Sequence, residues 1–258
     1  MKSLLIAFAM YSKIPVPQVE WDKRSLSWAL CCFPAVGVVI GGVLLGWMLL
    51  WRELGLEALG AVGALLLPLL LSGAIHLDGF CDTCDALSSH QSRERKLEIL
   101  KDSHTGAFAI ICCCLYLLLF YAAWRETALT DAAVPVLALT PVLSRCLSGL
   151  AAVSWHNARG SGLLATFTEP MDGRKARMIL LLESAAALAA MVCLCLRGSP
   201  LLLAAPAAAL LTLLYYRRMA YRQFGGITGD TEGFFLQACE CAMVLALALS
   251  ERIGDFLC

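Results

Sequence analysis

LEALGAVGALLLPLLLSGAIHLDGFCDTCDAL, residues 56–87, sets twenty residues carrying a single charge, Glu57, directly against a segment with three aspartates, Asp78, Asp82 and Asp85. As a helix, the first part is long enough to cross the roughly 30 Å hydrocarbon core of a bilayer. The second part, also read as a helix, advances about 100° per residue, so steps of four and three residues bring its three carboxylates within an arc of roughly 60°. Each carboxylate at a bilayer centre costs on the order of 3 kcal/mol even on an insertion scale, and the three repel one another as well. Either this acidic face sits at the water interface around a cation, or its acids are protonated.

The rest of the chain has the same character. Of 258 residues 60% are hydrophobic and 16% charged, with a mean hydropathy of +0.75, which is the composition of a membrane protein. Seven apolar stretches, residues 26–51, 56–75, 107–124, 132–153, 178–196, 201–216 and 234–250, are long enough or nearly so to span. The expected fold is all-α: a polytopic integral membrane protein of about seven transmembrane helices, forming one catalytic domain over residues 1–258. Residues 3–12 form a short apolar run without a small-x-small cleavage site before Lys13, and read as a retained half-span or interfacial helix.

Formal net charge is zero, which suggests no nucleic-acid partner. Fifteen Lys and Arg fall on the side that holds the N-terminus, four on the other (Arg52, Arg125, Arg197, Arg252), and Arg145 lies within a span. That bias places the N-terminus, the long loops and the aspartate cluster in the cytoplasm of a cell whose inner membrane holds the chain. Thirteen cysteines, many inside apolar runs, act as small apolar residues; Cys81-x-x-Cys84 lacks a clear second pair for zinc, since Cys239 and Cys241 have the wrong spacing.

Four groups of residues carry the chemistry. The acids Asp78, Asp82 and Asp85 suit a hard divalent cation such as Mg²⁺, which typically bridges carboxylates to substrate phosphates; a solvated loop with helically spaced acids is the bland alternative. LKDSHTGAF, residues 100–108, delivers Lys101, Asp102, Ser103 and His104 ahead of a span, as an anion site or as a plain helix cap. GGITGDTEG, residues 225–233, brings Gly229, Asp230 and Glu232, with Glu240 about two turns into the last span; alone it reads as a turn. Arg145 inside a span needs an anionic partner, either substrate phosphate or a structural pair with Glu183 or Glu240, and Arg159 at an aqueous edge is a phosphate candidate or a topogenic charge. His76 borders the acids as a candidate for direct chemistry, a structural histidine being the alternative. From these residues alone we expect a membrane enzyme that handles a phosphate or diphosphate through a Mg²⁺-like ion.

SKIPVP (12–17), FPAVG (33–37), HLDGFCDTCDAL (76–87), LEILKDSHTGAF (97–108), ARGSGL (158–163) and GGITGD with Glu240, in this order, resemble the cobalamin synthase family, the adenosylcobinamide-GDP ribazoletransferases. The resemblance runs nearly end to end. It implies a transferase that joins adenosylcobinamide-GDP to α-ribazole or its 5′-phosphate with Mg²⁺, giving adenosylcobalamin or its phosphate plus GMP, through attack by the ribazole 5′-oxygen. On that reading Asp78, Asp82, Asp85, Asp230 and Glu240 are metal candidates. Asp82, Asp85 and His76 are the catalytic candidates, and Lys101, Asp102, Ser103, Arg145, Arg159 and Gly229 bind substrate or phosphate. Membrane lipid is a further partner, and a homo-oligomer or association with other cobalamin-assembly enzymes is left open. The chain departs from the family's usual pattern at Ala86, where Gly is common, at His104, where Arg is common, and at Cys81 and Cys84, where Ala is common. A CDP-alcohol phosphotransferase fits poorly, because Asp82 stands where its motif has Ala. A transporter fits poorly too, because the acids gather at span ends and no internal repeat appears.

Overall fold

The computed structural model describes residues 1–169 and 171–257. Thirteen α-helices are present among them: α1 (Lys2–Tyr11), α2 (Lys23–Ala29), α3 (Phe33–Leu54), α4 (Glu57–Ser72), α5 (Ile75–Ser88), α6 (Arg93–Ile99), α7 (Ala107–Glu126), α8 (Ala133–Ala138), α9 (Thr140–Ser154), α10 (Leu163–Thr168), α11 (Gly173–Gly198), α12 (Ala204–Gln223) and α13 (Gly229–Leu257). Six helical stretches are long and apolar enough to cross a membrane, or seven if α4 and α5 count together as one span. The chain is thus an all-α, multi-pass membrane protein. Large apolar side chains such as Ile110, Leu115 and Leu118 on α7 and Leu181 and Leu182 on α11 point outward, as lipid-facing surfaces do.

The spans follow the apolar runs with two differences. The first span is α2 and α3 joined through a 3-10 turn, Leu30–Cys32, and the fourth is α8 and α9, broken where Pro141 opens α9. Short apolar α1 packs on α2 and α3, burying Ile6 and Ala7; at about 1.5 Å per residue it is too short to cross alone.

The apolar stretch 56–75 is helical over most of its length but ends in a bend. α4 stops at Ser72, and the chain bends by 95° into α5. Gly73, at φ +66°, closes α4: its N–H donates to Leu70 O, and the Ala74 N–H donates to Leu69 O, a pairing that satisfies the last carbonyls. Ala74 also has positive φ, +58°, which a side chain rarely adopts. The bend turns the aspartate segment aside from the axis of α4, and α5 lies against α13 and α7.

The loop expected over residues 217–233 is also shorter than anticipated. α12 runs on to Gln223 and α13 already begins at Gly229, so Asp230, Glu232 and Gly233 belong to the first turns of the last span. Thr228 and Thr231 start that helix reciprocally: the Thr231 N–H donates to Thr228 Oγ1 at 3.2 Å and the Thr228 N–H to Thr231 Oγ1 at 2.8 Å. This pattern resembles a capping box, with threonine where Glu or Gln is usual.

Candidate active site

The site is built where α5 crosses α13. A Cβ placed on Gly79 would lie 2.8 Å from Asp230 O, and one on Gly233 would lie 2.8 Å from His76 O. No other residue permits backbones this close. The crossing brings Asp78 and His76 of α5 beside Gly229, Asp230 and Glu232 of α13, and all five line one cavity of about 280 Å³.

A second strap fixes the far wall. Ala158 N–H donates to Ile227 O and Ile227 N–H to His156 O, both at 2.8 Å, an isolated parallel bridge between the loop after α9 and the loop before α13. Asn157 Oδ1 accepts from the N–H groups of Arg159 and Gly160, which closes the turn that presents Arg159. Arg159 Nη2 then sits 2.9 Å from Asp230 Oδ2. By angle this contact is an ion pair rather than an aligned hydrogen bond, so both atoms retain hydrogen-bonding capacity.

Asp82, one turn beyond Asp78, is half-buried and within electrostatic reach of Asp78, Asp230, Arg159 and Asp85. Arg159 thus serves both Asp82 and Asp230, with Asp78 acting on each of them. Asp85 lies at the other end of the row, its carboxylate packed on Gly106 at the entry to α7, which explains why a residue without a side chain stands there. Among the described residues no three His, Cys, Asp or Glu side chains are already arranged as a metal-ligand set. A Mg²⁺ ion asks for less, because it keeps waters and is commonly held by one or two carboxylates with substrate phosphates completing the shell. The surplus of negative charge on Asp78, Asp82 and Asp230 fits such an ion.

Other expected residues are placed elsewhere. Glu240 and Arg145 face each other at 2.7 Å, buried, with Ser144 Oγ donating to the same Glu240 oxygen and Arg145 Nη1 also donating to Pro141 O. Neither lines the cavity, and Glu240 is thus engaged by a cation in the protein itself. Arg145 stacks over Phe33, which does line the cavity, at 5.6 Å, and in that way it backs the site. Lys101, Asp102, Ser103 and His104 form an exposed loop between α6 and α7, outside the cavity lining. Within it, the His104 backbone N–H and ring hold Asp102 below the usual carboxylate range. Cys81 and Cys84 have opposite them Cys113 and Cys112 of α7, a thiol pairing that spacing in the sequence did not reveal. The cavity also uses Tyr11, Ser148 and Asn157, residues without a local sequence signal, which enter through non-local packing.

A family model described as cobalamin-5-phosphate synthase matches residues 3–248. The chain belongs to the cobalamin-5-phosphate synthase family. It is 43% identical to an adenosylcobinamide-GDP ribazoletransferase of Lachnoclostridium phytofermentans, over 98% of this chain and 95% of that one. Proteins of the same name from Clostridium botulinum and Fusobacterium nucleatum are each 30% identical, the first over 96% of this chain and 97% of its own, the second over 92% and 93%. No solved structure matches the chain. The matched region takes in every residue of the cavity.

Proposed function

We propose that the chain is an adenosylcobinamide-GDP ribazoletransferase of the inner membrane, a Mg²⁺-dependent phosphotransferase that joins adenosylcobinamide-GDP to α-ribazole or α-ribazole 5′-phosphate and releases GMP. The observation that carries this reading is the crossing at Gly79 and Gly233, which sets Asp78 of α5 beside Asp230 and Arg159 at one cavity, with Asp82 one turn away and outside the lining. Family membership supports the substrates. The bias of Lys and Arg supports a cytoplasmic active site.

Asp78, Asp82 and Asp230 are the residues that would hold Mg²⁺, which when bound supplies neutralisation of the diphosphate and of the departing GMP. Arg159, presented by the Asn157 turn, binds a phosphate oxygen with a fork that a lysine lacks. Gly229, exposed at the start of α13, offers backbone to the same phosphates. Asp85, packed on Gly106 and outside the cavity lining, would accept the proton only of an attacking hydroxyl that reaches past Asp82. His76 contacts substrate through Nε2, a buried atom without a partner in the protein. Glu240 acts from behind, by fixing Arg145 under Phe33. Lys101, Asp102 and Ser103 stand outside the cavity lining and meet only the part of a substrate that extends beyond it.

Attack by the ribazole 5′-oxygen does not fit the 5-phosphate product. A 5-phosphate product, as in the family's description, already has that oxygen esterified. The nucleophile is therefore a secondary ribose hydroxyl, whose oxygen bonds to the phosphorus next to the cobinamide as the bond to the GMP oxygen breaks.

Purified protein in detergent, given adenosylcobinamide-GDP, α-ribazole and Mg²⁺, is expected to release GMP in step with the joined product. Absence of GMP under conditions where a relative of the family turns over would overturn the reading.

A further inference from the structure

Besides the ion-paired Arg159 and Asp230, two side chains in the wall of the active-site cavity each hold a buried polar atom without a hydrogen bond. Glu232 is 7% exposed; Ser148 Oγ donates to its Oε2, the buried Tyr216 hydroxyl lies beside the carboxylate, and Oε1 has no aligned hydrogen bond. His76 is 4% exposed, and its Nε2 likewise stands alone. Each buried polar atom left unpaired costs about 1–3 kcal/mol, so two on one cavity wall point to a ligand that supplies the missing partners.

The surroundings state what kind of ligand. Tyr11 and Phe33, with ring centroids 4.4 Å apart, line the cavity together with leucines, which suits a flat ring system. Asp78, Asp230 and Arg159 line the same cavity, which suits a phosphate attached to that ring system. A carboxylate takes two N–H donors side by side, and the imidazole, with its proton on Nε2, gives one to an acceptor. Among the common bases, guanine alone presents two neighbouring N–H groups, N1–H and the 2-amino group, next to a carbonyl, O6. Adenine sets an acceptor, N1, beside its amino group, and uracil holds one N–H between two carbonyls.

We propose that Glu232 reads the guanine of the donor's GDP group, accepting from N1–H and the 2-amino group, while His76 donates from Nε2 to O6. This rests on the function proposed above and names the residue that sets its donor specificity. Glu232 is a specificity residue: it touches the base and takes no part in breaking the diphosphate.

The test compares kcat/KM for adenosylcobinamide donors that differ only in the base. With wild-type protein, the inosine diphosphate donor, which lacks the 2-amino group, is expected to fall about tenfold or more below the GDP donor, and the adenosine diphosphate donor about a hundredfold or more. Turnover of the GDP donor tests the function itself. Equal use of the three bases with that turnover intact overturns the base assignment alone. Glu232→Gln exchanges one acceptor oxygen for a donor, which suits xanthine, where C2 carries oxygen. In this variant the ratio of xanthosine diphosphate to GDP donor use is expected to rise about a hundredfold or more over wild type. A folded variant with the wild-type ratio overturns the proposal; if the variant does not fold, the wild-type series decides by itself.

Discussion

Gly79 of α5 and Gly233 of α13 meet backbone to backbone, each leaving room for the main chain of the helix opposite: Asp230 O lies 2.8 Å from where a Gly79 side chain would start, and His76 O lies at the same distance from where a Gly233 side chain would start. Both obstructions are carbonyl oxygens, which cannot swing away as the end of a flexible side chain can. The two acidic segments are therefore held together by what their glycines lack.

Gly79→Ala is expected to separate α5 from α13 and to cost about 1–3 kcal/mol, as overpacking does. Activity should fall by more than the loss of folded protein accounts for. Thermal unfolding in detergent, read beside specific activity of the folded fraction, checks this; wild-type turnover in Gly79→Ala would sink it.

Asp82→Asn removes a carboxylate from the centre of the acidic row while keeping its shape. We expect turnover to drop by about a hundredfold or more, with membrane insertion and unfolding temperature unchanged. Chelation of divalent ions should silence the wild-type protein, and added Mg²⁺ should restore it. A nearly normal rate in Asp82→Asn refutes its role.

Glu240→Gln leaves Arg145 buried without its counter-charge, and breaking such a pair costs about 3–5 kcal/mol. The loss should appear as lower thermal stability, with an unchanged Mg²⁺ requirement in the protein that remains folded. A raised Mg²⁺ requirement without loss of stability would instead mark Glu240 as a metal ligand.

Arg159→Lys keeps the charge at Asp230 but not the planar fork. KM for the GDP donor is expected to rise about tenfold while the acceptor's KM stays near wild type. An equal change in both, or none, would count against Arg159 as a phosphate contact.

Much of this was legible in the chain. Apolar runs declare themselves because a bilayer demands their length, and Asp78, Asp82 and Asp85 share a helix face because their spacing allows nothing else once they are helical. The bend at Gly73 and Ala74 was not legible, since one glycine at the end of an apolar run looks the same whether the chain continues or turns. GGITGDTEG looked like a turn; its second half is helix because Thr228 and Thr231 cap each other, a reciprocal pattern that differs from the usual Glu or Gln signal. The partner of Arg145 and the bridge between Asn157 and Ile227 depend on contacts between distant parts of the chain. Spacing along the sequence carries no trace of them.

The early stop of α4 has a consequence for the lipid around it. Sixteen residues rise about 24 Å, several ångströms less than the ~30 Å of oil they must cross, before the chain veers sideways. A mismatch of this size is met by a locally thinner bilayer or by tilt, and either would shorten the way from water to Asp78. Turnover compared in bilayers of different acyl chain length reads that mismatch directly.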